Sequence, residues 1–509
     1  MYWADKIAQE FKKRHLPLEW VDDMKTPSGF AHMGSLRGPV THSLVYRALQ
    51  DVGLKVKFTF VINDFDPADE LPPEFKETLK DYLGFPLRKV PSPNKKYDSL
   101  GSLIAQDFIT SFRTLGVEAE ILSSWDMYHQ GKFDNVIKIA LDNSGKIQDI
   151  YRQVSGSQKK ESGWLPFQVV CQKCGKLGTT KVTDWDGKEV TYECLPDLVK
   201  WASGCGYKGK VSPFGGSGKL PWKVDWPAHW KVIGVTCEGA GKDHGSAGGS
   251  YDIALKLCDK VFKYPSPFKF VYEFFLLGGQ KMSSSKGIGF KAHDLIGILP
   301  PNVARFLFVR TDYQQAINFN PDGYTIPNLF DEYDRCAKEF FAKGRKSDFG
   351  RSYELSQTNP KQPEKFVDIR FRQIAQLIQM PNMAGKIKNN PQLVERAKYA
   401  KIWLENFAPE SEKFSIKNDL PNEVKKLNQT QKLLLKRITA EIDKKWEAED
   451  FQKEIYNWGK ELGLSSGETF QTIYLSLIGK DHGPKAAWLI LSLDKEFVKT
   501  RFEEVANQK

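Results

Sequence analysis

The sequence predicts an α/β fold: a parallel sheet, a small cysteine-bearing β insertion, and a C-terminal all-α region. Three observations carry this. Strand-like and helix-like segments alternate through the first 150 or so residues, the texture then turns rich in glycine, proline and cysteine, and from about Ser347 the spacing is helical to the end.

Apolar, β-prone "LPLEWVDD" and "VKFTFVIND" flank the helical pattern "RGPVTHSLVYRALQDVG", which is the signature of a βαβ unit. A helix pattern over 105 to 115, the strand candidate "VEAEIL" and a long helical pattern from Trp125 to Gln153 continue the alternation. Between Trp164 and Lys223 the chain reads as small hairpins, with an Asp-Gly turn in "WDGKEV", held by something other than a large core. Two further strands, "WKVIGVTC" and "FKFVYEFFLL", are expected to rejoin the sheet. In the tail, Val424, Leu427, Leu434, Ile438 and Ile442 fall on one face of a helix expected to begin after Pro421. The predicted boundaries are 1–165, 166–225, 226–346 and 347–509.

At 509 residues the chain is too long for one ordinary core. Lys and Arg number 74 against 63 Asp and Glu, and the resulting charge of +11 suits an anionic partner, nucleic acid first. No run of eighteen apolar residues occurs, and "MYWADKIAQEFKKRH" lacks a secretory pattern, so a cytoplasmic protein without a membrane role is expected. Seven cysteines in such a chain point to thiols or metal ligands rather than disulfides. "CQKCG" offers Cys171 and Cys174 on a glycine-backed turn, and Cys194 and Cys205 complete four thiols for one structural Zn2+. The ten residues between Cys194 and Cys205 are more than a zinc ribbon normally has there. Cys237, Cys258 and Cys336 are expected in packing.

"TPSGFAHMGSLRG", residues 26 to 38, follows a strand and precedes a helix, where open parallel sheets bind nucleotides. Gly29 and Gly34 admit a ligand to the backbone, and Ser35 is expected to begin a helix whose free N–H groups favour an anion beside His32. Alone, such a stretch is better explained by Ser35 as a helix N-cap with an ordinary loop histidine before it. A second stretch, "KMSSSKG" at 281 to 287, sets two lysines among three hydroxyls in a glycine-flanked loop after "YEFFLLGGQ".

As a pair, the two stretches resemble the HIGH and KMSKS signatures of class I aminoacyl-tRNA synthetases. His32, Gly34 and Ser35 match the first; Lys281, Met282, Ser283, Ser284 and Ser285 match the second. The family's usual second lysine is Ser284 here, leaving Lys281, with Lys286 nearby, to meet the phosphate charge. "EGAGKDH", "LFDEYDRC" and "GKDHGPKAAWLILSLDKEF" are similar to the lysyl members of the family. The resemblance implies a Rossmann-like catalytic domain interrupted by a helical and a zinc-bearing insertion, and a helical anticodon-binding domain. It implies ATP, Mg2+, L-lysine and tRNA(Lys) as cofactor and partners, and no DNA. It also implies Gly241 and Asp243 at the ribose, and Gly29, Trp222, His244 and Tyr272 around the amino acid. Asp22 or Asp23 could accept the substrate ammonium. Between Arg351 and Ala400 nine basic residues outnumber four acidic ones, a pattern suited to phosphate contact. The rival readings are a class I enzyme for glutamate or arginine, and a synthetase-derived RNA-binding protein with an inactive site.

Overall fold

The computed structural model describes residues 1–155, 163–282, 289–382, 387 and 390–508. Five strands form a parallel sheet: β1 (Glu19–Lys25), β2 (Val56–Ile62), β3 (Glu120–Ser123), β4 (Cys237–Gly241) and β5 (Phe268–Tyr272), in the spatial order β5-β4-β1-β2-β3. This is a doubly wound, Rossmann-like order, in which the direction of strand progression reverses between β1 and β4. Val21 sits opposite Phe58 on one side and Cys237 on the other, all three buried, as a sheet covered on both faces requires. Helix Arg37–Asp51 connects β1 to β2 and buries Val40, Leu44, Val45 and Ala48, while Leu100–Thr114 connects β2 to β3.

Several elements differ from expectation for identifiable reasons. The pattern from Trp125 to Gln153 is three helices, Ser124–His129, Asp134–Asp142 and Ser144–Ser155. Gly131, at φ 72°, ends the first, where the Lys132 N–H turns back to the Met127 carbonyl. "WKVIGVTC" is mostly the end of helix Trp222–Ile233 and its exit turn, with Gly234 left-handed after it and β4 starting only at Cys237. "FKFVYEFFLL" is two strands in two sheets. β5 ends at Tyr272, whereas Phe275–Leu277 pairs with Gln280–Lys281 and Ile317–Phe319.

The cysteine-bearing segment forms an antiparallel sheet of Thr180–Trp185, Val190–Cys194 and Lys208–Val211, with a separate pair, Gln168–Val169 and Gly218–Lys219. The expectation that it lacks a large core is corrected. Val182, Val190 and Tyr192 are buried in one apolar cluster with Val61, Phe65, Tyr128 and Phe133.

The chain divides into two compact units, Met1–Asn320 with Cys336–Glu364, and Pro321–Arg335 with Lys365–Lys509; helix Asp348–Ser356 belongs to the first. In the second unit, Val424, Leu427, Leu434, Ile438 and Ile442 are all buried, but the helix begins later than expected, at Gln429. Asn428 and Gln431 cap it reciprocally (2.9 and 3.0 Å), and Val424 occupies a preceding 3-10 turn. Among the described residues no helix is long and apolar enough to cross a membrane.

Ile438, fully buried among Leu434, Ile455 and Phe502, should cost about 2–5 kcal/mol of the second unit's stability when replaced by Ala. Denaturant titration of the purified variant measures this; a loss under about 0.5 kcal/mol would contradict the packing.

Candidate active site

β1 and β4 part at their carboxyl ends, where β1 leads directly into the first stretch of interest and β4 into Lys242–Gly245. After β1, residues Met33–Leu36 form a 3-10 turn before helix Arg37–Asp51. Ser35 therefore does not begin the α-helix, and its N–H donates to the His32 carbonyl (2.9 Å). Far along the chain, Lys281 ends the hairpin whose turn, Gly278 and Gly279, adopts positive φ. The two stretches meet. The Met33 N–H donates to the Phe290 carbonyl (2.9 Å) and the Ala292 N–H to the Ala31 carbonyl (2.7 Å), forming a short antiparallel bridge between His32 and Lys291. A Cβ on Gly34 would stand 2.9 Å from the Met282 methyl and 3.0 Å from His32 Nδ1, so a side chain there would have to displace both.

A cavity of about 280 Å3 results, lined by His32, Gly34, Ser35, Gly241, Asp243, His244, Tyr272, Lys281 and Met282. Ser283, Ser284, Ser285 and Lys286 lie outside the described residues. Charges of both signs line the cavity: Lys25, Arg37 and Lys281 with Asp23, Asp243 and Glu273. Burial, with the Lys25 charge adding to it, lowers the His32 pKa to about 4, so its ring is a neutral donor or acceptor at physiological pH. Arg37, also lining the cavity, is buried and donates to the Asp312, Tyr313 and Gln315 carbonyls (3.2, 3.1 and 2.8 Å). Burial lowers its pKa to about 10, which leaves it charged. The Lys281 ammonium rests over the Phe274 ring, 3.4 Å from its centroid, and 3.1 Å from Asp243 Oδ1, with both charged groups exposed.

A second cavity of about 640 Å3 shares Asp23, Met24, Lys25, Gly241, His244 and Tyr272 with the first, so the two adjoin. Its walls are aromatic. Trp222 stacks on Trp226 (5.8 Å between centroids) and meets His244 edge-on (5.2 Å). Burial keeps the Tyr272 phenol protonated and pushes the His244 pKa down. Gly29 does not line it; it faces a small recess with Pro27 and Ile104, while Thr26 and Ser28 reach the larger cavity.

Of the two acidic residues proposed for the ammonium, Asp23 lines both cavities and Asp22 lines neither. Asp22 is buried and accepts from Thr59. Asp23 is held by the Met24 N–H (2.9 Å) and lies 3.5 Å from His42 Nδ1. His42 Nε2 accepts from the Gly239 N–H (2.7 Å), which puts the ring proton on Nδ1, facing the Gly38 carbonyl (2.8 Å) and Asp23. Sequence reasoning missed Glu238, although it opens the "EGAGKDH" stretch. It lies in the larger cavity, directly across from Asp22 in the sheet, and accepts from the Trp226 and Trp230 indoles (2.7 and 2.5 Å). Burial and the Asp22 charge raise its pKa well above the usual carboxylate range. A cation beside it would favour the charged form.

A family model described as tRNA synthetases class I (K) matches residues 1–359, and one described as an anticodon binding domain matches 354–506. The chain belongs to the class I tRNA synthetases (K). Proteins named lysine–tRNA ligase from Archaeoglobus fulgidus and Methanosarcina barkeri are 32% and 34% identical to it, over 99% and 100% of this chain and 99% and 98% of theirs. One of the same name from Methanocaldococcus jannaschii is 34% identical over 99% of both chains.

In this class I synthetase the four thiols expected to cluster do so. Cys171, Cys174, Cys194 and Cys205 have sulfurs all within 4.8 Å of one another, the pairs Cys171–Cys205 and Cys174–Cys194 standing 3.7 Å apart. Zinc–sulfur bonds of about 2.3 Å set tetrahedral sulfurs about 3.8 Å apart, so the donor set fits that ion. The long Cys194–Cys205 spacing is closed at its base. The Cys194 N–H donates to the Tyr207 carbonyl and the Gly206 N–H to the Cys194 carbonyl (2.8 Å each), so residues 195 to 204 form an excursion that leaves the thiols together. Cys237, Cys258 and Cys336 are buried.

A proton titration of His32 should show a midpoint near 4. Because the folded pKa lies below that of the unfolded chain, the neutral ring should contribute stability above about pH 6.5 that is lost as pH falls towards 4. Histidine resonances followed by NMR across that range measure it, and a midpoint near 6.5 would mean that the ring is open to water.

Proposed function

We propose that this synthetase activates L-lysine with ATP to lysyl-adenylate, expelling pyrophosphate, and then transfers the lysyl group to tRNA(Lys) with release of AMP. The observation that carries this is the cavity bounded by His32, Arg37 and Lys281, opening into one lined by Trp222, Trp226, Tyr272 and several carboxylates.

Activation requires in-line attack of the lysine carboxylate on the α-phosphorus. A P–O bond forms as the bond to pyrophosphate breaks, and no protein nucleophile intervenes. The enzyme's part is to position both substrates and meet the developing phosphate charge. His32 is neutral and can donate one hydrogen bond without becoming an acid. Lys281 exchanges Asp243 for phosphate, and the released carboxylate, with the close backbone of Gly241, is then placed for ribose hydroxyls. Gly34 and Ser35 border the phosphates, Met282 packs against Gly34, and Ser283, Ser284, Ser285 and Lys286 bind the nucleotide with them, by the motif they match. Mg2+ accompanying ATP supplies further phosphate neutralisation.

The aliphatic stem of lysine lies between Trp222, His244 and Tyr272, with Gly29 supporting the loop behind, and its ammonium meets Asp23 and Glu238. Those same carboxylates disfavour glutamate by like-charge repulsion. The occupied positions of His32 and Lys281 in one cavity likewise disfavour an inactive, RNA-binding relic. The four cysteines hold one structural Zn2+, and the helical region after residue 347 reads the anticodon, in a cytoplasmic enzyme.

ATP–pyrophosphate exchange measured with lysine, glutamate and arginine, each with and without tRNA, tests the substrate: exchange should depend on lysine alone. His32→Ala and Lys281→Ala should each slow it by about 10²–10³-fold while leaving tRNA binding within about twofold. Unchanged exchange rates would remove the assigned roles. Metal analysis of the purified protein should give one zinc per chain, falling away in Cys174→Ser; a folded, zinc-free parent would refute the thiol assignment.

A further inference from the structure

Lys219 ends the strand Gly218–Lys219, on which the cysteine-bearing insertion returns to the catalytic body, and it pairs there with Gln168. Its side chain is only 1% exposed. Yet Nζ lies 2.5 Å from Asp66 Oδ1 and 2.9 Å from Asp225 Oδ2. Burial alone would strip its proton, but Asp225 and Asp66 more than offset this, and the pKa is raised. Each carboxylate is engaged on its other side too. Asp66 Oδ2 accepts from Thr26 Oγ1 and Asp225 Oδ1 from the Tyr128 hydroxyl, both at 2.5 Å.

The arrangement reaches the larger cavity from three directions. Thr26, Asp66 and Asp225 all line it, Thr26 from the loop after β1 and Asp66 from the loop after β2. Asp225 lies on helix Trp222–Ile233 between Trp222 and Trp226, so anchoring Asp225 fixes the rotation at which both indoles face the cavity. The charge matters as much as the anchor. Without the ammonium, two buried carboxylates on the cavity wall would lack a counter-charge and would compete for any cationic ligand.

We propose that Lys219 is a positioning residue for the amino-acid subsite: it fixes Thr26 and the Trp222–Trp226 face, and by neutralising Asp66 and Asp225 it directs the substrate ammonium to Asp23 and Glu238. This rests on reading the larger cavity as the amino-acid subsite. Lys219 touches no substrate, and its effect belongs in amino-acid binding rather than in phosphate chemistry.

Exchange kinetics of two variants of the full-length chain test the assignment. Lys219→Met keeps bulk and removes charge; Thr26→Val removes one hydroxyl from the cavity wall and leaves the buried ion pair intact. The parent first fixes the amino acid used: exchange with glutamate in place of lysine would overturn the substrate reading alone, and KM for that amino acid would become the readout. The expected result is a rise in amino-acid KM of about tenfold in Lys219→Met and about threefold in Thr26→Val, with KM for ATP within about twofold of the parent. Should Lys219→Met fail to fold, Thr26→Val decides. An amino-acid KM unchanged in a folded variant, or one that rises only in step with KM for ATP, overturns the proposal.

Discussion

Everything in the catalytic unit depends on two backbone hydrogen bonds between segments some 260 residues apart, Met33 to Phe290 and Ala292 to Ala31. They fix the register in which the loop after β1 and the chain following the lysine hairpin run side by side. The segments pack tightly at Gly34, where the Met282 methyl and the His32 ring already fill the space a side chain would take. Backbone pairing sets the spacing of the two walls, and it makes the imidazole of one and the ammonium of the other neighbours of a single void. A site built from remote segments needs such a clasp, and here it is backed by the buried Ala31, Met33 and Leu36 on one side and Ala292 and Leu295 on the other.

The electrostatics follow from the sheet. At its switch point, parallel strands bring Asp22 and Glu238 face to face in a dry interior, where two like charges cannot both persist. Both carboxyls have pKa values well above their ordinary range, chiefly through burial. Two indoles and Thr59 donate to them, which limits the penalty without cancelling it. Next door, Lys25, Arg37 and Lys281 share the smaller cavity with Asp23, Asp243 and Glu273, so charges of both signs line it. An anion taking the Lys281 ammonium there must displace Asp243, which now holds it at 3.1 Å.

Sequence reading captured what is written locally or in familiar patterns: the order of strands and helices, the paired motifs and the four thiols. It failed where tertiary context decides. "WKVIGVTC" has β-prone residues, but Trp230 belongs to a helix whose indole must reach Glu238, and that requirement outweighs strand propensity. "FKFVYEFFLL" is uniformly apolar, so nothing in its periodicity marks the two-residue break at which the chain leaves one sheet for another. Glu238, Arg37 and Lys219 were missed for a common reason. A buried charge has meaning only beside its partners, and each has one distant in sequence: Asp22 for Glu238, the Asp312 to Gln315 carbonyls for Arg37 and Asp66 for Lys219.

The excursion at 195 to 204 separates how far apart two ligands stand in the chain from how far apart they stand in space. The ladder is tied off at Cys194 and Tyr207, and the stretch between them is drawn back onto the first knuckle, where the Leu195 N–H donates to the Thr179 carbonyl and Lys176 Nζ to the Ser203 carbonyl (2.9 Å each). The extra residues thus brace the turn that carries Cys171 and Cys174, lengthening the loop without loosening its ends.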